Sequence, residues 1–392
     1  MKAVWEKKRL GEICGFQNGF AFKSSTFKPV GVPILRISNL QNDEVVADEL
    51  VYCDPKDYRE DLDHYRVVNG DLLIAMSGAT TGKIGFNNQD GSFFLNQRVG
   101  KFEPKENLHK RFLYYYLSTQ VKENLRISAG AAQPNLSTEQ IRQFQIPVPS
   151  LSEQRRIVGI LDEAFEGLAT AKANAEQNIK NARALFESHL QAVFTQRGKG
   201  WVEKKLSDVC AITSTLVDPR KKEFLDLTHV GAGNIESQTG VFVDLKTARE
   251  EGLISGKFLF DETMVLYSKI RPYLMKVTRP DFNGLCSADM YPLTPLPNAI
   301  SRDYLFHLLL SKGFTDYAVQ GSARAGMPKV NREHLFEFKL WLPDLKKQKT
   351  LAANLDEIHE ETQRLESLYQ RKVAALDELK KSLLHRAFSG QL

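Results

Sequence analysis

The sequence is poor in the residues that build covalent or metal-held frameworks. Its four cysteines, Cys14, Cys53, Cys210 and Cys286, form no CxxC pair. Cys14 and Cys210 follow the apolar residues Ile13 and Val209, a setting for buried thiols in a reducing compartment rather than for a disulfide. Eight histidines are scattered without HExxH or any paired-ligand spacing, and no Ser, His and Asp constellation stands out. Metal and nucleophilic catalysis thus lose their sequence support. No stretch approaches the roughly 20 apolar residues that span a bilayer, and the opening Met1 to Glu6 lacks the apolar core of a signal peptide. The expected location is cytoplasmic, with no membrane partner.

Motifs for phosphate and cofactor binding also fail on inspection. Gly78 to Lys83 is close to a P-loop, but that loop needs four residues between its glycines and a Ser or Thr after the lysine. Here three residues separate Gly78 from Gly82, and Ile84 follows Lys83. Gly231 to Gly233 is close to a methyltransferase cofactor loop, yet its counterpart in the first half of the chain, Ile37 to Asn39, has no glycine. No Pro-Pro pair occurs, so the Asn-Pro-Pro-aromatic motif of base-amino methyltransferases is missing. No catalytic or cofactor-binding residue is expected in this chain.

What is present is ordinary soluble composition and one long internal repeat. Hydrophobic residues make up 42% and charged residues 26%, enough to bury at least two cores in 392 residues. The net charge of +5 permits nucleic-acid binding without requiring it. Trp5, Lys8, Leu10 and Cys14 recur as Trp201, Lys204, Leu206 and Cys210, 196 positions later. Pro134, Leu136, Ile141, Phe144, Ile146 and Pro149 recur 194 positions later as Pro328, Val330, Leu335, Phe338, Leu340 and Pro343. Gln154, Leu161, Asp162 and Glu163 continue this register to Gln348, Leu355, Asp356 and Glu357. A period near half the chain is too long for a solenoid and reads as two copies of a whole domain with its connector. Such a molecule has pseudo-twofold symmetry and suits a duplex with two separated half-sites.

Each copy reads as an α+β domain. In the first, Pro33 to Leu40, Asp71 to Met76 and Phe93 to Phe102 are strand candidates, and Lys110 to Ile127 is a helix. In the second, the strands are Leu225 to Val230, Thr263 to Lys269 and Leu285 to Leu293, and the helix is Arg302 to Val319. Leu73, Ile74, Ser77 and Lys83 are matched to Val265, Leu266, Ser268 and Lys276, leaving loops of unequal length.

After each domain the turn residues vanish. Residues 152–196 carry Ile157, Leu161, Ala164, Leu168, Ala171, Ala175, Ile179, Ala182, Phe186 and Val193 at spacings of mostly three and four, one long amphipathic helix. Leu351, Leu355, Ile358, Leu365, Tyr369, Val373, Leu376 and Leu383 form its counterpart, interrupted by Thr362. Helices of roughly 45 residues are about 65 Å long and need a packing partner. Small Ala171, Ala175 and Ala182 stand where the second helix has Leu365, Tyr369 and Leu376, so the two are expected to pair, antiparallel, with one domain at each end. The alternative is two separate helical linkers.

The loops hold donors suited to phosphates and base edges. Candidates in the first domain are Arg36, Asn39, Thr80, Thr81, Lys83, Gln97, Arg98, Gln133 and Asn135. In the second they are Asn234, Lys269, Arg271, Tyr273, Lys276, Arg324, Lys329 and Asn331.

The run Gln133 to Leu136, continuing through Ile146 Pro147 Val148 Pro149 to Leu151 Ser152 Glu153 Gln154 Arg155 Arg156 Ile157 and Leu161 Asp162, resembles the specificity subunits of type I restriction–modification systems. So does the opening Trp5 to Ile13. The likeness covers nearly the whole chain and implies target-recognition domains at 1–150 and 199–343, with spacer helices at 151–198 and 344–392. The implied fold is two pseudo-twofold-related α+β target-recognition domains separated by a pair of long antiparallel coiled-coil helices.

The resemblance further implies a non-catalytic subunit reading double-stranded DNA. Its helices would hold two modification subunits, which bring S-adenosylmethionine and methylate adenine. Restriction subunits would add ATP- and Mg-dependent translocation and cleavage. A rod between two readers fixes an unread gap, with half-site centres about one helical turn (~34 Å) apart if both readers use the same DNA face. The loops differ between copies, which predicts an asymmetric target. Lys347 stands where the first helix has Glu153, reversing a charge at the helix head. Two other classes compete: a duplicated coiled-coil adaptor, and a self-sufficient methyltransferase or nuclease.

Overall fold

The computed structural model describes residues 5–41, 43–121, 126, 135–322 and 328–392. Two compact units emerge, one of residues 1–173 with 373–392, the other of residues 174–372.

In the first unit the run Leu72–Ala75 is apolar throughout and buried at all four positions, as expected of a strand covered on both faces. It lies inside a six-stranded sheet, flanked by Val99–Pro104 and Ile84–Phe86. Beside it are a four-stranded sheet, in the order Val51–Cys53, Val32–Leu35, Phe93–Leu95, Arg66–Val67, and an antiparallel pair of Lys7–Arg9 with Gln145–Pro147. The strands expected over 33–40 and 93–102 are each broken. Ile37–Asn39 forms a 3-10 turn between Val32–Leu35 and Leu40–Gln41, and residues 96–98 form a corner between Phe93–Leu95 and Val99–Pro104. At both breaks the chain leaves one sheet for the other. The helix is Lys110–Thr119, and Ile127, its expected end, lies outside the described residues.

The second unit repeats this plan. Val265–Ser268 is again fully buried, between Met290–Pro295 and Val277–Thr278. Gly284–Cys286 belongs to a separate five-stranded sheet, so the run expected over 285–293 also breaks, at 287–289. The helix expected over 302–319 divides into Arg302–Leu310 and Lys312–Gln320. Ser311 sits between them in an extended conformation, its hydroxyl donating to the Leu308 carbonyl (2.7 Å) and accepting from the Phe314 N–H (3.3 Å).

The long helices are Leu151–Thr195 and Leu345–Phe388. Within the first unit their segments run antiparallel: Arg156 donates to the Leu392 carbonyl (2.8 Å), and Lys172 pairs with Asp377 (2.8 Å). Within the second unit Arg183 pairs with Glu366 (2.7 Å) and Phe186 packs on His359, ring centroids 4.6 Å apart. Ile157, Leu161, Ala175, Phe186 and Leu355 are buried, while Leu168, Leu351, Leu365, Tyr369 and Leu376 are half-buried. Thr362, the interruption of the apolar stripe, is itself buried. Among the described residues no helix is long and apolar enough to cross a membrane.

Each domain is fastened to its helix by the same side chain. Gln154 is fully buried; its carbonyl accepts from His109 N–H (2.8 Å), and its amide donates to the Pro149 (2.9 Å) and Asn107 (3.0 Å) carbonyls. Gln348 repeats all three bonds with Ser301 N–H (2.9 Å) and the carbonyls of Pro343 (3.0 Å) and Ala299 (3.1 Å). Ile157, Val158 and Leu161 enter the first unit's core beside Ala387, and Phe186, Leu190, Ala352 and Leu355 enter the second's. The four thiols are buried and unpaired, and burial pushes Cys14 and Cys210 up to about 12.

Candidate nucleic-acid interface

In each unit three loops converge at the end of the central buried strand. In the first, Met76 N–H donates to the Arg98 carbonyl (2.8 Å), and the Met76 carbonyl accepts from Leu136 N–H (2.7 Å). Ser77 forms a β-bridge with Asn135, and Ala75 N–H donates to the Lys83 carbonyl (2.8 Å). The second unit has the same frame: Lys269 N–H to Asp289 (3.0 Å), Val330 N–H to Lys269 (2.8 Å), Ser268 N–H to Lys276 (3.0 Å), and a bridge between Ile270 and Lys329.

This register corrects the match made on residue identity. Ser268 stands opposite Ala75, not Ser77, and Ser77 to Lys83 stands opposite Ile270 to Lys276 without insertion. The two loops share one shape as well as one length. Gly78 and Gly82 have φ of 79° and 82° around the 3-10 turn Gly78–Thr80. Arg271 and Met275 have φ of 49° and 46° around the 3-10 turn Pro272–Leu274. Glycine adopts this left-handed conformation freely, whereas each non-glycine residue there costs about 1 kcal/mol.

On this shared frame the chemistry diverges. The first unit presents exposed Lys83, Gln97, Arg98 and Asn135. In the second, Asp289 takes the place of Arg98 and Lys329 the place of Asn135, and the two form an ion pair at 3.3 Å. Lys269 is half-buried, 5.2 Å over the Tyr291 ring, and its ammonium donates to the Ala288 carbonyl. Burial, then the neighbouring Lys329, push its pKa down. Arg271 and Tyr273 are exposed on the turn, whereas Lys276 is tied to the Ala232 carbonyl (2.6 Å). Asp289 is a residue that sequence reading missed, and Arg332, whose charge also bears on Lys269, is another. The corner register would have found Asp289, since it occupies the position of Arg98.

Several candidates are engaged within their own domain. Asn39 is buried, with its carbonyl accepting from Arg36 N–H (3.0 Å) and its amide donating to the Val46 (3.0 Å) and Asp48 (2.8 Å) carbonyls. Asn234 makes the same set with Gly231 (3.0 Å), Val243 (3.2 Å) and Asp244 (3.1 Å). Both brace their loops, with carbonyl and amide already engaged, and neither holds its amide ready for a base edge. Thr81 is buried and donates to the Gly78 carbonyl (2.7 Å), and Thr80 has its hydroxyl buried. Arg36 donates to the Glu49 carbonyl (2.8 Å). Asn331 stays exposed but caps the helix Arg332–Phe336 through His334 N–H (2.7 Å). Gln133 and Arg324 lie outside the described residues.

A family model described as "Type I restriction modification DNA specificity domain" matches this chain twice, over residues 3–181 and 198–372. The chain is similar to the type I restriction enzyme EcoDI specificity subunit of Escherichia coli, 28% identical over 344 residues, which cover 77% of this chain and 76% of that protein. It is similar to the EcoBI specificity subunit of the same species, 23% identical over 421 residues, 99% of this chain and 86% of that one. Among solved structures, the HsdS subunit from Thermoanaerobacter tengcongensis has the same fold, with TM-score 0.61, 18% identity, and coverage of 99% and 97%. A chain from a study of complex assembly and conformational transition of the type I R-M system has TM-score 0.75, 18% identity, and coverage of 99% and 98%.

Proposed function

The chain belongs to the type I restriction–modification DNA specificity family, with two target-recognition domains, and from that premise we propose that each domain reads one half of an asymmetric bipartite duplex. One observation carries the reading. Two loops of equal length, held by the same backbone hydrogen bonds, present different side chains: Gly78, Thr80 and Gly82 with Arg98 nearby, against Arg271, Tyr273 and Met275 with Asp289 nearby. A common frame with different contact groups is what two readers of unlike half-sites require.

In this proposal the chain supplies recognition and no catalytic residue. Its long helices dock two modification subunits, which carry S-adenosylmethionine and methylate adenine in each half-site. Restriction subunits complete the complex with ATP and Mg. Lys83, Gln97, Arg98 and Asn135 contact one half-site, and Lys269, Arg271, Tyr273 and Lys329 the other. A good bidentate base contact contributes roughly 1–3 kcal/mol of discrimination.

The test is single-molecule methylome sequencing of cells expressing this chain with its modification subunit, against cells lacking this chain. A new two-part adenine-methylation motif with a fixed gap is expected. Exchange of residues 199–343 for the same domain of another family member is expected to change one half and leave the other intact. An assembled complex that adds no motif overturns the reading in favour of an adaptor.

A further inference from the structure

The second recognition loop holds a feature with no counterpart in the first. Tyr273 is 52% exposed at the crest of the turn Pro272–Leu274. Among the described residues its ring stacks on no other aromatic group, and its hydroxyl makes no hydrogen bond. Yet the turn beneath it is held firmly. Arg271 N–H donates to the Pro328 carbonyl (2.9 Å), Leu274 N–H to Arg271 (2.9 Å) and Met275 N–H to Pro272 (3.0 Å), and Pro272 is buried. Arg271 and Met275, in the left-handed conformation on either side, are where the first loop has Gly78 and Gly82. A fold that keeps non-glycine residues in that region fixes the backbone that carries Tyr273 at the crest. The position equivalent to Tyr273 is Thr80, which is half-buried.

Charge around the ring is mostly positive. Arg271 is exposed beside it, Lys329 bridges Ile270, Lys269 follows the buried strand Val265–Ser268 and Arg332 opens the helix Arg332–Phe336, while Asp289 offsets part of this charge through its ion pair with Lys329 (3.3 Å). An exposed aromatic ring on a fixed turn, flanked by cations, can wedge at a base step while the cations hold the phosphates on either side.

We propose that Tyr273 is a specificity-determining residue of the second recognition domain, its ring wedging at one base step in that domain's half-site alone. This rests on the DNA-reading function proposed above. The wedge separates stacked bases, so its cost depends on the step, least for pyrimidine–purine steps. Specificity therefore arises at a position where no base edge needs to be contacted. The first domain, with Thr80 at the crest, reads its half-site without this distortion.

The experiment uses the chain assembled with its modification subunits on the duplex identified by methylome sequencing. 2-Aminopurine is placed in turn at each position of both half-sites other than the methylated adenine. The expected result is a fluorescence rise at one step of the second half-site, abolished in Tyr273→Ala and kept in Tyr273→Phe. Tyr273→Ala is also expected to lose at least tenfold in discrimination at that step, with the first half-site unchanged. Equal behaviour of wild type and Tyr273→Ala overturns the proposal, as does equal loss in Tyr273→Phe and Tyr273→Ala, which assigns the contact to the hydroxyl. Loss in both half-sites overturns it as well. Failure of the DNA-reading function itself is seen earlier and separately, as the absence of any methylation motif.

Discussion

Tyr115 and His307 occupy one position of the repeat, and each bonds to an aspartate at one position of the long helices. The Tyr115 hydroxyl donates to Asp162, with Arg111 at 2.9 Å, and His307 Nε2 donates to Asp356 at 2.7 Å, with Arg279 at 2.8 Å. The anchor is therefore phenolic in the first unit and imidazole in the second, and the two respond to pH in opposite senses.

Burial lowers the pKa of His307, more strongly than Asp356 raises it. The unfolded chain then binds the extra proton, so stability falls as pH drops below about 6.5. Burial raises Asp356, but hydrogen bonds from His307 and Arg279 hold it at about 2, so further stability is lost as pH falls from about 4 towards 2. Burial and the bond to Asp162 push Tyr115 up to about 12, and its contribution, full below about pH 10, is lost as pH climbs towards 12. Thermal melting at pH 7 and 5 is expected to show a smaller acid loss in His307→Tyr than in wild type. An equal loss counts against the anchor.

Asp356→Asn removes one of the two carboxylates on Arg279, leaving Asp303 at 2.7 Å, and is expected to cost about 1.5–3 kcal/mol in urea unfolding. A cost under about 0.5 kcal/mol at neutral pH contradicts the ion-paired anchor.

Gln154→Ala and Gln348→Ala each strand one backbone N–H and two carbonyls that the side chain now satisfies. Each is expected to destabilise by about 2–4 kcal/mol. Denaturant titration measures this, and near-neutral values would show that solvent replaces the side chain at no loss.

Met275→Gly relieves a left-handed residue and is expected to leave stability within about 1 kcal/mol of wild type, while Gly82→Met, at φ 82°, costs about 1–2 kcal/mol. Equal melting shifts in the two variants argue against the shared loop shape.

Arg98→Ala and Asp289→Ala remove opposite charges from one position of the frame. In the assembled complex, Arg98→Ala is expected to weaken duplex binding and lower the salt-dependence slope by about 0.9. Asp289→Ala frees Lys329 and is expected to tighten non-specific binding several-fold. Titration at several salt concentrations measures both, and shifts of the same sign exclude this surface as the phosphate-facing one.

The repeat and the two long helices were legible because identity and three-four periodicity survive in places where packing sets the residue. The recognition loops were not. Their register is fixed by backbone groups, such as Ser268 N–H on the Lys276 carbonyl, which leave no mark on side-chain identity. The strand breaks at 96–98 and 287–289 were hidden for a similar reason, since apolar runs continue on both sides of a change of sheet. Asn39 and Asn234 misled because asparagine is a good base reader. Their identity between copies was the clue: two domains that read unlike sequences share the residues that brace the loop, as they share Gln154 and Gln348.

The first unit takes its chain from both ends of the sequence, residues 1–173 and 373–392, with the second unit's residues forming one uninterrupted insertion. During synthesis residues 373–392 of the first unit emerge only after the whole of the second. Leu383, Leu384, Ala387, Phe388 and Leu392 join a core whose other members left the ribosome more than two hundred residues earlier. A chain broken off near residue 372 would keep every residue of the second unit and leave the first with an open flank where 373–392 belong, so damage beyond the second unit falls on the first.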